Sequence, residues 1–251
     1  MDNYFIECKN ISFSYENGKE ILKGVSFQTG QKEAIGIIGA NGVGKSTLLR
    51  ILVGLELGFS GEAYINRIPV NKKNLAEIRR KTGYLFQDSE NQLFTQTVYN
   101  DVAFGPRNYG LKEDEVKERV AAALSSIEIT HLKEKQIHKM SGGEKKMASI
   151  ATVLAMHPDI ILLDEPTIAL DPKNRRRLIQ TLNRLDHVKL IASHDLDMIL
   201  ETCDRVILMA DGRIIREGNT ELILRDKELL EAYGLELPLC LAGYRGRKSS
   251  R

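Results

Sequence analysis

Apolar and polar positions along this chain alternate between two rhythms. In "YFIECKNISFSY", from Tyr4 to Tyr15, apolar side chains recur at about every second position, the period of a β-strand. "GVSFQTGQKEAIGIIG" continues with two more short strands on either side of Gly30. A helix follows from Ser46 to Val53, opened by a glycine-rich loop. "GEAYINR" then reads as a strand, "NLAEIRR" as a short helix and "TGYLFQ" as a strand. From Thr97 to about Met156 strand-like runs disappear, and "VKERVAAALSSI" and "GEKKMASIATVLAM" carry the helical period. Strands return in "DIILLDEP", "HVKLIASHD" and "DRVILMADGRIIREG", separated by the helical "NRRRLIQTLNRLD" and "DLDMILETC". Strands that alternate with helices predict an α/β fold with a largely parallel sheet covered on both faces, and the helical stretch reads as an insertion on it. There is no internal repeat and no low-complexity linker. The closing "GYRGRKSSR" is short and basic and is expected to be loosely ordered.

Composition narrows the function classes. The 251 residues suit one large domain or two small ones, and 42% hydrophobic content can supply a core. A formal charge of +2 does not point to nucleic acid. The three cysteines, Cys8, Cys203 and Cys240, are scattered without a C-x-x-C pair, which fits a reducing compartment and argues against a disulfide framework or structural zinc. The N-terminus lacks the basic and apolar regions of a signal peptide, and no stretch approaches the ~18 apolar residues of a membrane span. The expectation is a cytosolic protein. Work at a membrane would require another chain to supply the span.

Candidate chemistry begins at "GANGVGKSTL". Gly39 to Ser46 matches G-x-x-x-x-G-K-[ST] and follows the apolar strand Ala34–Ile38, with a helix after it. Glycines let the backbone wrap so that several N–H groups point at phosphate oxygens, and the helix start adds its positive dipole end. Lys45 is expected to bridge the β- and γ-phosphates of a nucleotide, and the Ser46 hydroxyl to ligate Mg²⁺. Gly39, Asn41, Gly42, Gly44, Lys45, Ser46 and Thr47 make up the candidate ATP-binding loop. A triphosphatase of this kind needs an acidic site, and "IILLDEP" supplies it. Asp164 would hold Mg²⁺ through water, and Glu165, at the strand's edge, would polarise the attacking water.

About twenty residues before that strand, "MSGGEKK" resembles the signature motif of ABC-transporter ATPases. Its Ser141, Gly142 and Gly143 offer a hydroxyl and bare N–H groups at a second helix start. The resemblance implies a P-loop ABC ATPase core, a largely parallel sheet plus an antiparallel β-subdomain, with an inserted helical subdomain. It also implies a head-to-tail dimer, in which each ATP lies between the glycine loop of one subunit and Ser141, Gly142, Gly143 and Glu144 of the other. On the same footing, Tyr15 matches the aromatic that stacks on adenine. Gln87 matches the glutamine linking γ-phosphate and Mg²⁺ to the transmembrane partner. Asp171 matches the loop that communicates across the dimer, and His194 the switch histidine on the γ-phosphate. Residues 1–90 and 157–235 would form the nucleotide-binding core, 91–156 the helical subdomain and 236–251 a tail.

The stretch "FQDSENQLFTQTVYNDVAFGPRNYGL" further resembles the ATPase subunits of energy-coupling-factor transporters, with Gln92 as a second glutamine. That resemblance implies a partner ATPase, identical or paralogous, with an integral membrane coupling subunit and a substrate-binding membrane subunit, all at the cytoplasmic face of the cell membrane. Leu93, Phe94, Val98 and Phe104 either contact the membrane partner or bury within the insertion. Later stretches such as "VLAMHPDIILLDEPTIALDP" look most like the subgroup of cobalt or nickel uptake, although relatives also energise vitamin import. Two positions depart from the usual signature. Glu144 replaces a glutamine and is expected to face away from phosphate or to pair with a lysine such as Lys145. Met147 replaces an arginine. Ile168 and Ala169 also stand where small pairs are frequent. Translation-type relatives carry two ATPase halves and DNA-repair relatives carry long coiled coils, so the reading is a transport motor with ATP and Mg²⁺ as cofactors and no nucleic acid partner.

Overall fold

The structure, a computed structural model, describes residues 4–16 and 18–242; the basic tail, 243–251, lies outside the described residues. The chain begins with β1 (Ile6–Ser14), β2 (Glu20–Thr29) and β3 (Ala34–Ile38), then α1 (Lys45–Leu52). Next come β4 (Ser60–Ile65), the two-residue β5 (Ile68–Pro69), α2 (Leu75–Lys81) and β6 (Thr82–Leu85). Three helices follow: α3 (Val98–Asn108), α4 (Glu113–Ser126) and α5 (Gly142–Leu154). The second half adds β7 (Ile160–Asp164), α6 (Pro172–Arg184), β8 (Val188–Ala192) and α7 (Leu196–Thr202). It closes with β9 (Arg205–Ala210), β10 (Arg213–Asn219), α8 (Thr220–Leu224) and α9 (Lys227–Ala232).

These strands build two sheets. The larger has the order β10-β9-β3-β8-β7-β6, and only β10 runs against its neighbour. All residues of β3, β6, β7 and β8 are buried, as apolar strands of a parallel sheet covered on both faces must be. The second sheet, β2-β1-β4-β5, is antiparallel throughout, and β1 alternates between buried and more exposed positions. The predicted α/β core with an antiparallel subdomain is therefore the observed fold. The run "DRVILMADGRIIREG" resolves into two antiparallel strands that turn at Asp211 and Gly212, both with positive φ, the geometry that two-residue hairpins favour.

Helix α3 precedes the two helical segments singled out from periodicity, capped by the Thr97 side chain and carrying Pro106 near its end. Its buried Val98, Val102 and Ala103 join Val116 and Val120 of α4 and Met147 and Ala151 of α5 in one apolar cluster. Met147, standing where an arginine was expected, is fully buried there. At the C-terminus Leu235 and Leu237 pack against the same core, and the N–H groups of Leu239 and Cys240 donate to the Asp197 carboxylate at 3.0 and 2.9 Å. Residues 236–242, read from sequence as the start of a tail, are thus pinned to α7.

Candidate functional site

The strand order decides what meets what. β8 lies between β3 and β7, so the C-terminal ends of these strands deliver the glycine loop, Ser193-His194 and Asp164-Glu165 to one edge of the sheet. In open parallel sheets that edge is where ligands bind.

The glycine loop needs its glycines for space as well as for conformation. Gly44 has φ 106°, and a Cβ there would lie 2.6 Å from Cδ2 of Leu22. Gly39 has φ 146°, and a Cβ would strike the carbonyl oxygen of Met209. No side chain caps α1, which leaves its first N–H groups for a ligand. The helix begins at Lys45, one residue earlier than expected. Lys45 Nζ donates to the carbonyls of Gly39 at 2.7 Å and Ala40 at 3.1 Å. Burial lowers the pKa of this ammonium, against the opposing pull of Glu165 and Asp164. Asn41 and Gly42 are exposed at the tip, and Thr47 is buried behind it.

Ser46 and Asp164, 118 positions apart, are hydrogen-bonded, with the hydroxyl donating to Oδ1 at 2.9 Å. Asp164 is buried at the end of β7, and desolvation raises its pKa, partly offset by the Ser46 hydrogen bond. Glu165 follows with φ 48°, a left-handed conformation that costs a non-glycine residue about 1 kcal/mol or more and turns the side chain out of the strand's alternation. Its Oε2 accepts from Ser193 Oγ at 3.1 Å and from the His194 N–H at 3.3 Å, and it lies 2.8 Å from His194 Nδ1. Glu165 is buried, whereas the His194 side chain is 57% exposed. A carboxylate fixed at an acidic edge beside an exposed imidazole is an arrangement suited to activating water.

Tyr15 packs edge-on against Phe13, with ring centroids 4.9 Å apart, and its hydroxyl lies 3.3 Å from Thr47 Oγ1. Gln87 is exposed, and its backbone carbonyl accepts from Lys146 Nζ at 3.0 Å. Lys146 was not singled out from sequence. It is a buried ammonium on α5, and burial pushes its pKa down to about 8. Gln92 staples the same loop, accepting from the Phe86 N–H and donating to the Tyr84 carbonyl.

Ser141 caps α5 and forms a reciprocal capping box with Glu144. The Glu144 carboxylate accepts from the Ser141 N–H at 2.9 Å and, with both oxygens, from Lys135 Nζ at 2.8 Å. The expected lysine partnership is therefore made with Lys135 from the preceding loop rather than with Lys145. Gly142 and Gly143 carry the helix start, and a Cβ on Gly143 would come within 3.5 Å of the Ala169 carbonyl and 3.9 Å of Asp171 Oδ2. Asp171 caps α6 through the Asn174 N–H at 2.9 Å. Between Gln87, Gly142, Lys146 and Phe104 opens a groove of about 950 Å³. Of the four apolar candidates near it, Leu93 and Val98 are buried inside the helical cluster and so cannot be surface contacts. Phe94 (63% exposed) and Phe104 (43%) stack edge to face at 4.7 Å on the surface.

Residues 22–168 match the family model described as ABC transporter. The chain belongs to the ABC transporter family. Among its ABC relatives, the energy-coupling factor transporter ATP-binding protein EcfA of Carboxydothermus hydrogenoformans is 42% identical over 94% of this chain and 88% of its own length. The structure of cbiO1 from Clostridium perfringens, part of the ABC transporter complex cbiONQ, superposes with a TM-score of 0.81 at 38% identity over 94% of this chain and 97% of that one. The ATP-binding cassette MJ0796, solved as a dimer in a post-hydrolysis state with ADP and Pi, gives a TM-score of 0.78 at 29% identity over 86% of this chain and 98% of that one. This ABC chain is an ATP-binding ATPase subunit that acts in transport. No helix among the described residues is long and apolar enough to cross a membrane.

Proposed function

We propose that this chain is the ATP-hydrolysing motor of an energy-coupling-factor importer for cobalt or nickel, working at the cytoplasmic face of the membrane. The observation that carries the motor reading is the meeting of Ser46 with Asp164 and of Glu165 with His194 at the mouth of the glycine loop. The named relatives and the segment from Phe86 to Leu111 support the energy-coupling-factor type. In this reading Tyr15 faces adenine. The loop from Gly39 to Gly44, with Lys45 and Thr47, holds the phosphates. Glu165 takes the proton of the attacking water, and His194 keeps that carboxylate aimed at it. Ser46 and Asp164 are paired hard oxygen donors, the chemistry that suits Mg²⁺, with Gln87 as a further oxygen. Bound there, the cation would neutralise charge on the phosphate oxygens.

Ser141, Gly142, Gly143 and Glu144 would face the ATP of a partner subunit, a second copy or a paralogue, with Asp171 beside them. With the Glu144 carboxylate turned back onto Lys135 and the Ser141 N–H, the helix start can receive phosphate without that negative charge pointing at it. The exposed Phe94–Phe104 pair at the groove is the proposed seat of the membrane coupling subunit, which works with a substrate-binding membrane subunit. The test is ATP-dependent uptake of cobalt, nickel and a vitamin panel in cells carrying wild-type protein or Glu165→Gln. Selective loss of metal uptake is the expected result. Intact metal uptake with loss of several vitamins would instead identify a shared energising module.

A further inference from the structure

Behind Ser46 a second group of side chains surrounds Asp164. Tyr84, buried on β6, donates from its hydroxyl to Oδ2 of Asp164 at 3.4 Å, while Ser46 holds Oδ1. The Tyr84 ring is fixed edge-on against Phe86 with centroids 4.5 Å apart. The Tyr84 hydroxyl is thus a second side-chain donor to this carboxylate, on the oxygen opposite the one Ser46 holds. Asp164 is 1% exposed, and a buried carboxylate is sensitive to each donor it keeps or loses.

We infer that Tyr84 is a positioning residue for Asp164, which locks the orientation of the carboxylate that holds the divalent cation of ATP. The inference rests on the reading of Asp164 as a cation-holding residue. It adds a residue that no sequence motif marks, on the strand beside β7. Partners that orient a metal-holding group set metal affinity nearly as strongly as the group itself.

The experiment measures, by titration with full-length protein, the affinity for AMP-PNP in EDTA and in saturating Mn²⁺, and takes the factor by which Mn²⁺ tightens binding. Tyr84→Phe retains the ring and its packing and removes only the hydroxyl. It is expected to shrink the tightening factor roughly tenfold or more, while affinity in EDTA and the melting temperature of the nucleotide-free protein stay at wild-type values. In an Asp164→Asn background Tyr84→Phe is expected to add nothing. A wild-type tightening factor in Tyr84→Phe, alongside a lost one in Asp164→Asn, would overturn the inference alone. So would an equal loss of affinity in EDTA, which would mark a purely structural role. A wild-type factor in Asp164→Asn would overturn the cation reading of Asp164 itself.

Discussion

His194 Nδ1 lies 2.8 Å from Oε2 of Glu165, an oxygen that also accepts from Ser193 Oγ and from the His194 N–H. The relationship exists because β7 and β8 pair in parallel register, with Asp164 opposite Ala192, so both chains leave the sheet at the same level. The Glu165 N–H then donates to the Ala192 carbonyl at 2.8 Å and fixes the turn. A carboxylate gripped this way cannot swing between rotamers, which is what a proton acceptor for one particular water requires.

Replacing that carboxylate isolates its chemical role. Glu165→Gln keeps the shape and the acceptor oxygen but removes the basicity. Turnover is expected to fall roughly 10²- to 10⁴-fold while ATP still binds. With ATP present, size-exclusion chromatography is expected to show a persistent dimer. Hydrolysis within a few-fold of wild type would remove Glu165 as the base.

The glycine loop yields a comparison of two alanines. Gly42 has φ 81° with nothing within 4 Å of a would-be Cβ, whereas Gly44 combines φ 106° with the Leu22 contact at 2.6 Å. Gly42→Ala carries backbone strain alone, on the order of 1 kcal/mol, and Gly44→Ala adds a clash against a buried side chain. Thermal melting is expected to drop further for Gly44→Ala, and ATP affinity to drop in both. Equal melting temperatures would contradict the packing described for Leu22.

Glu144 makes a pH-dependent contribution whose sign can be worked out. Lys135, and then the Ser141 N–H, hold its carboxyl below the usual carboxylate range. A depressed folded-state value means stability that is present above the unfolded-state pKa and lost as pH falls through the folded one. Glu144→Gln is expected to be less stable than wild type at pH 7 by no more than about 1 kcal/mol, since the pair is partly screened by solvent. The difference is expected to begin closing as pH falls below the unfolded-state carboxylate value and to vanish only below the depressed folded one. Urea denaturation of both proteins at pH 7 and pH 3.5 measures it.

The exposed aromatic pair separates docking from catalysis. Phe94→Ser with Phe104→Ser removes two surface rings and leaves the buried Leu93 and Val98 in place. The isolated subunit is expected to keep its melting temperature and ATPase rate, and to lose co-purification with the membrane subunits. Undiminished co-purification would move the docking seat elsewhere.

What the sequence made legible is what lies close along the chain. The glycine loop and the acidic strand end are contiguous patterns, because phosphate binding by backbone N–H groups and a strand-borne carboxylate each need only local order. Tyr84 and Lys146 carry no such pattern. Tyr84 reads as one more strand aromatic until β6 is placed beside β7, and Lys146 as a solvated lysine until α5 closes on the Gln87 loop. Lys135, the partner of Glu144, comes from a loop whose path no periodicity predicts. The split among the apolar candidates was partly readable. Val98 and Phe104 are six residues apart on α3, and at 3.6 residues per turn such positions face different ways.

The position of β8 also has a consequence for how the protein is made. The glycine loop hangs from β3, yet the two strands that flank β3, β8 and β9, end at Ala192 and Ala210. A ribosome adding 5–20 residues per second therefore leaves the loop without its frame for roughly 10–30 seconds after its residues emerge. A nascent chain stopped before Val188 contains Lys45, Asp164 and Glu165 but lacks the strand that sets them side by side. The strand that frames the glycine loop arrives only in the last quarter of the polypeptide, so a chain cut short before it carries the motif without the frame of the motor.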